Sequence, residues 1–343
     1  MKLSDLDYFL PQELIAQQPL ADRQASRMML VNRRTGEIAD RMFVDLPDFL
    51  LPDDLLVLNN TKVFPARLLG RTETGANVEI FLIKEKEDLV WEALSRPARR
   101  LPIGKRISFT NGLSAEVLER KDRGSVIVRF ESRERFEDVL DQIGKTPLPP
   151  YIKRDDSSAD EDRTRYQTVF AKHRGSVAAP TAGLHFTDET ISSIQTNGVE
   201  IIEITLHVGY GTFEPVRVDQ ITNHRVSPES YHIDEHAAGS LNRAITKRRR
   251  IVAVGTTTTR ALETCLTKNG EFKAGRGLAD LTITPGYQFK AVSGLMTNFH
   301  LPKSSLLILV STFAGTELIM NAYEHAVSER YRFYSYGDCM FIE

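Results

Sequence analysis

Several stretches of this 343-residue chain combine side chains whose types and spacing suit chemistry. The first is Gly175 to Thr187, GSVAAPTAGLHFT, which reads as a buried strand over Ser176 to Ala179, broken by Pro180 and followed by a small-residue loop. That loop delivers His185 to a helix beginning near Thr187, with Asp188 and Glu189 in its first turn. Thr is a good N-cap, and early acids complement the helix dipole. A histidine facing that positive end has its charged form disfavoured. A neutral imidazole beside a glycine-permissive loop suits proton abstraction or ligand capture. The plainer alternative is a histidine that only caps a turn.

Other stretches invite similar weighing. HVGYGTFEPV (207–216) puts Gly209 and Gly211 where a buried strand ends. Glycines there let a backbone approach a ligand closely, or simply make a tight turn. No third glycine follows, so this is not a dinucleotide fingerprint. IVAVGTTTTRALE (251–263) has the form strand, glycine, hydroxyl-rich turn, helix. Backbone N–H groups at Thr256, Thr257 and Thr258 suit a carboxylate or phosphate, and Arg260 has the fork to pair with a carboxylate. The lysine of a phosphate-binding P-loop is absent. His300, in TNFHLPKSSLLILV (297–310), is either a packed core histidine or a site residue.

HIDEH (232–236) matches the pattern in which His232 and His236 bind zinc from one helix with Glu235 as base. Against it, Tyr231-His232-Ile233 reads as a strand end. A basic cluster of Arg96, Arg99, Arg100, Lys105 and Arg106 lies near Trp91 and suits tracking a phosphate backbone. Lys247 to Arg250 end a helix, where the dipole alone favours cations.

The elements that must position these residues follow from periodicity. Arg67 to Phe130 alternates with period two in six runs: ARLLGR, VEIFLIK, VWEALS, RISF, SAEVLE and SVIVRF. Turn formers separate them, among them Thr74-Gly75, Asn111-Gly112 and Asp122-Arg123-Gly124. Six strands so spaced predict a small barrel or sandwich. A helix is expected over Glu134 to Ile143, and then PLPPY (147–151) marks a sharp boundary. DDSSADED (155–162) is expected to be a polar mobile loop.

Beyond it, strands are expected at VEIIEITLHVG (199–209), IVAVG (251–255), LTITPG (281–286) and near Cys339 to Ile342, alternating with helices. LLVLNN (55–60) suits the same sheet. The expected architecture is an α/β core with a mainly parallel sheet, built from 1–63 and 151–343, carrying a small antiparallel β-barrel inserted at 64–150.

Bulk properties narrow the classes. The length suits about two domains, and a net charge of −2 announces no global field for polyanions. Two cysteines are too few for a disulfide framework or a cysteine-rich zinc site, which suits a reducing cytosol. The start, MKLSDLDYFL, carries acids where a signal peptide needs an apolar run. The apolar run Leu306 to Val310 falls far short of the roughly 18 residues of a membrane span. A soluble cytoplasmic protein is expected, with nothing resembling a coiled-coil seam to argue against a monomer.

Together these motifs resemble the S-adenosylmethionine:tRNA ribosyltransferase-isomerase family of queuosine biosynthesis. The similarity runs through DYFLPQELIAQQP (7–19), LNNTKVFPARL (58–68), LSRPARRL (94–101), PLPPYI (147–152) and RYQTVFA (165–171). It continues through GSVAAPTAGLHFT, HVGYGTFEPV, VAVGTTTTRALE, TNFHLPKSSLLILVS and YRFYSYGDCM (331–340). After Asn223-His224 the family usually has a second histidine and a methionine, where this chain has Val226 and Ser227.

The resemblance implies an α/β core carrying a β-barrel. It implies that the ribosyl carbons of S-adenosylmethionine pass to the aminomethyl group of 7-aminomethyl-7-deazaguanine (preQ1) at a tRNA wobble position, giving epoxyqueuosine, adenine and methionine. S-Adenosylmethionine is then a consumed substrate, and neither a redox cofactor nor a metal is required for a net substitution and rearrangement. It points to His185 first, then His300 and Glu214, as acid–base groups. Gly209, Gly211, Thr256, Thr257, Thr258 and Arg260 would bind S-adenosylmethionine, and Arg96, Arg99, Arg100 and Arg106 would hold tRNA on one face. The rival expectations are a zinc hydrolase at His232 and His236 and a non-catalytic tRNA-binding protein.

Overall fold

The computed structural model describes residues 1–97, 101–153 and 159–343. In chain order its strands are β1 (Arg27–Val31), β2 (Ile38–Met42), β3 (Leu55–Asn59), β4 (Thr61–Val63), β5 (Arg67–Thr72), β6 (Asn77–Glu87), β7 (Val90–Arg96), β8 (Arg106–Ser108) and β9 (Ser114–Arg120). They continue as β10 (Ser125–Glu131), β11 (His173–Ser176), β12 (Glu200–Leu206), β13 (Glu229–Ile233), β14 (Ile251–Val254), β15 (Gly275–Ala279), β16 (Gly294–Asn298) and β17 (Cys339–Ile342). The helices are α1 (Leu46–Phe49), α2 (Phe136–Ile143), α3 (Ala159–Arg165), α4 (Asp188–Thr196), α5 (Glu235–Thr246), α6 (Thr256–Cys265), α7 (Ser305–Ala314) and α8 (Thr316–Ser328).

The six period-two runs close into a barrel in the order β10-β7-β6-β5-β8-β9. Every other side chain points inward, so Leu68, Ile80, Leu82, Val117, Val126 and Val128 fill its interior. Asn111 and Gly112 both take positive φ, 55° and 70°, which is the twist a two-residue hairpin turn needs between β8 and β9. Helix α2 contributes Phe136, Val139 and Leu140 to the same core, and Phe136 packs 4.8 Å from Phe130. The chain passes between barrel and core twice, and Arg67 and Lys145 exchange backbone hydrogen bonds where the two passages meet.

The core sheet has nine strands in the order β15-β13-β12-β3-β14-β16-β17-β1-β2. Its centre, β12-β3-β14-β16, is parallel, and so is β1 against β17. The remaining pairs are antiparallel. The sheet is thus mixed, not mainly parallel. The antiparallel pairs arise where short edge strands and the chain's two ends close onto a parallel centre, a common construction. Strand β3, buried at every position, sits at the middle as LLVLNN suggested.

Several local expectations need correction. LTITPG forms no strand: the strand is β15, just before it, because the Leu281 carbonyl is taken by Arg260 and the Thr282 hydroxyl by the Val226 N–H. Strand β16, buried throughout, was not anticipated, nor were β1 and β2. The strand expected over Ser176 to Ala179 lies earlier, at His173–Ser176, paired with β4. Residues 159–162 of the expected polar loop (155–162) are helical, as the start of α3, and Asp162 is buried, while 155–158 fall outside the described residues. Among the described residues no single helix is long and apolar enough to cross a membrane, and α7 and α8 are bent by 118° at Gly315.

Candidate active site

Where β12 ends, the chain turns through His207 to Glu214 and faces the barrel wall across a cleft of about 820 Å³. Trp91 and Glu92 of β7, Phe136 of α2, Arg174 and Gly175 line it together with Gly209, Gly211, Glu214, Ser227 and Glu229. A volume of this size suits a nucleoside-sized ligand with a second group beside it. His207 is held in place: the Thr61 hydroxyl lies 2.8 Å from Nδ1, and the ring lies flat over Gly175. A Cβ at Gly175 would fall 2.6 Å from the imidazole, and φ there is +153°, so glycine is required. Burial first, then His173 and Arg276, hold the His207 pKa down.

Beneath the glycine loop lies a buried ion pair. Arg260 Nη1 donates to Glu229 Oε2 at 2.8 Å, with both side chains below one-tenth exposed. The Gly209 N–H donates to Glu229 Oε1 at 2.8 Å. Burial raises the Glu229 pKa, and Arg260 followed by the Gly209 N–H opposes it. Arg260 spends its other donors on the carbonyls of Ser227, Ala279 and Leu281. It therefore ties two chain segments, 227–229 and 279–281, together beneath the loop rather than offering a fork to a ligand.

The threonines before it serve the fold in the same way. Thr258 and Thr259 hydroxyls donate to the carbonyls of Val254 and Gly255, and all four threonines are buried. Gly255, at φ +94°, makes the strand-to-helix corner.

His185 lies elsewhere. It closes a 3₁₀ turn, Thr181–His185, ahead of α4, whose N-cap is Thr187 as expected. Its ring is buried, and it lines a separate small depression with Arg23, Ser26, Arg165 and Tyr336. Asn298 Nδ2 donates to His185 Nε2 at 3.1 Å while also facing two backbone carbonyls. The network therefore puts the proton on Nδ1, which donates to Ser26 Oγ at 2.8 Å. Burial, then Arg23 and Arg332, push the His185 pKa down to about 3. The imidazole is neutral as anticipated, but burial is the first cause rather than the helix end.

His300 is packed in the core, with Nε2 2.8 Å from the Thr297 hydroxyl and its carbonyl accepting from Tyr8. Burial pushes its pKa down to about 3.

Of the residues expected from sequence, the cleft gathers Gly209, Gly211 and Glu214. It does not gather His185, His300, Thr256, Thr257, Thr258 or Arg260. Arg96 and Arg106 are exposed, but β7 and β8 stand three strands apart in the six-strand barrel and so form opposite walls. Arg106 also pairs with Glu131 at 3.2 Å. A single basic face running through both is not what the barrel provides, and Arg99 and Arg100 lie outside the described residues. His232 sits in β13 and His236 in the first turn of α5, so no one helix presents both as the zinc pattern requires.

Two cleft residues went unremarked in the sequence. Glu229 gave no signal, because its meaning depends on a distant arginine. His207 gave one, as the first residue of the glycine-bearing block.

A family model described as "Queuosine biosynthesis protein" matches residues 3–342. The chain is 49% identical over 344 residues to the S-adenosylmethionine:tRNA ribosyltransferase-isomerase of Syntrophotalea carbinolica, covering all of both chains. It is 46% identical to the protein of that name in Clostridioides difficile, again over the whole of each. A crystal structure of S-adenosylmethionine tRNA ribosyltransferase from Thermotoga maritima shares 37% identity and a TM-score of 0.57, covering 99% of this chain and 100% of that one. With barrel, sheet and cleft all inside the matched span, the chain belongs to the queuosine biosynthesis protein family.

Proposed function

We propose that this protein moves the ribosyl moiety of S-adenosylmethionine onto the aminomethyl group of preQ1 at a tRNA wobble position, isomerising it to the epoxide of epoxyqueuosine and releasing adenine and methionine. The observation that carries the reading is near-half identity over the full length to ribosyltransferase-isomerases. The cleft supports it, being large enough for both reacting groups and lined by both acids and bases.

The reaction sets four demands. A base takes the proton from the carbon beside the sulfonium, adenine leaves with its bonding pair, the neutral amine attacks, and a ribose oxygen displaces methionine to close the epoxide. In this reading Gly209 and Gly211 let the backbone approach S-adenosylmethionine, and Glu214, exposed on the cleft, is placed to move a proton. His207, with a depressed pKa, offers a neutral imidazole nearby. Arg260 acts through Glu229 by fixing the loop, and His185 and His300 act from outside the cleft. Arg96 and Arg106 contribute to tRNA affinity from opposite walls of the barrel, and Arg99 and Arg100 add to it by their charge.

The test incubates the protein with S-adenosylmethionine and tRNA bearing preQ1, and follows adenine and the modified nucleoside. Adenine released in step with epoxyqueuosine, and absent with unmodified tRNA, is the expected result. Bound tRNA with no adenine would overturn the reading in favour of a tRNA-binding protein.

A further inference from the structure

Three cations gather at the depression beside His185, and of them Arg332 has a buried acid near it: Asp338 accepts from the Arg332 backbone N–H and offsets the burial of its guanidinium. Arg23, on a turn near the N-terminus, donates through Nη1 to the carbonyls of Gln167 and Leu184, at 2.7 and 3.3 Å. Arg165, in the last turn of α3, donates to the carbonyls of Leu20 and Ala21. Arg332, after α8, donates to the Gln18 carbonyl through Nη2, and its Nη1 is sealed from solvent with no partner. Among the described residues none of these three guanidinium groups forms an ion pair. Arg249, Arg250 and Arg260, by contrast, each face a carboxylate within 3 Å.

Arg23 and Arg165, drawn together on neutral carbonyls, repel one another unless an anion joins them. The electrostatics agree: burial and then Arg165 lower the Arg23 pKa, and Arg23 and Arg332 help to keep His185 uncharged. Arg23 and Arg165 line the depression beside His185 and Ser335, with Arg332 close behind. The space is about 30 Å³ and open to solvent, enough for the oxygens of one anionic group but not for a nucleoside. Guanidinium groups suit such oxygens because their N–H forks match phosphate and carboxylate geometry.

We propose that this depression is an oxyanion site, separate from the cleft, that takes a phosphate or carboxylate group at the end of a larger ligand. Two ligands could supply it, a backbone phosphate of tRNA or the carboxylate of S-adenosylmethionine, and the choice between them rests on the function proposed above. The site itself does not.

The first probe is inorganic phosphate. Thermal unfolding is followed in phosphate and in chloride at matched ionic strength, for the wild type, Arg165→Gln and Arg165→Lys. Ligand that binds only the folded protein raises its midpoint. The extra stabilisation by phosphate should be present in the wild type, reduced in Arg165→Gln and largely kept in Arg165→Lys. Equal phosphate effects in wild type and Arg165→Gln would overturn the site. Binding then separates the sources. A slope of log K against log salt for tRNA that falls by about 1 in Arg165→Gln, with S-adenosylmethionine affinity unchanged, identifies a phosphate. Weaker S-adenosylmethionine binding with tRNA unchanged identifies the carboxylate. A wild type that responds to phosphate yet binds neither substrate would leave the oxyanion site standing and remove the proposed function.

Discussion

The two cavities differ in kind as much as in size. The cleft between barrel and sheet, about 820 Å³, mixes acids, bases, aromatics and two glycines, and its polar groups are held by partners beneath the surface. The depression at His185, about 30 Å³, carries one sign of charge and a histidine whose two ring nitrogens are already bonded. Mixed charge around a large opening suits proton transfer on a bulky substrate. Cations alone around a small one suit recognition of a single charged group. On the two proposals above, the histidine that stands out most in the sequence falls in the recognising depression, and the cleft is built around a loop whose own histidine, His207, is only partly buried.

That division can be broken by variants that separate rate from stability. Glu214→Gln should lower kcat/KM for adenine release by about 10²–10⁴-fold, the usual range for an acid–base group. Because Glu214 is exposed, its unfolding midpoint should not move. Arg260→Ala should show the opposite balance, losing about 3–5 kcal/mol of stability in denaturant titrations because it strands the buried Glu229 carboxylate. A rate defect in Arg260→Ala with stability intact would return that arginine to the substrate.

Acid sharpens the comparison further. His185 and His300 have folded pKa values near 3 against 6.5 when unfolded, so the unfolded chain binds more protons between those limits. The stability they confer is fully present above about pH 6.5 and is lost as pH falls towards 3. Each should contribute a slope of up to ~1.4 kcal/mol per pH unit in that window. Denaturant unfolding at pH 7, 5 and 4 measures it, and His185→Gln should remove one share. Gly175→Ala should have a smaller effect, raising KM several-fold as the new methyl displaces His207 from the cleft wall. A wild-type KM in that variant would show that His207 does not help shape the substrate site.

The barrel was legible in the sequence and the sheet only in part, for a physical reason. Each barrel strand pairs with neighbours mostly a hairpin or two away, so alternation and turn residues such as Asn111-Gly112 carry the pairing locally. The sheet joins Met28 to Cys339 and Leu55 to Ile251, and no local pattern announces such partners. Strand β16 is buried on both faces and so loses the alternation that reveals a strand. The site divides along the same line. The glycine loop at 209–211 was readable because glycine itself signals close approach. Arg260 was read as reaching for a ligand, since its partner Glu229 is brought to it only by the fold. The cluster of Arg23, Arg165 and Arg332 left no trace in the sequence, because its members come from three distant segments.

The cleft's role is tested most directly by filling it. Gly209 has φ −89°, an ordinary value for any residue, and a Cβ there would meet nothing nearer than Glu229 at 3.8 Å. Gly209→Leu should therefore fold normally while occupying substrate space. Adenine release on preQ1-bearing tRNA should fall by about 100-fold or more in kcat/KM, with the unfolding midpoint unchanged, since small misplacements in a reacting site cost that much. Wild-type turnover in a folded Gly209→Leu protein would contradict the assignment of the chemistry to this cleft.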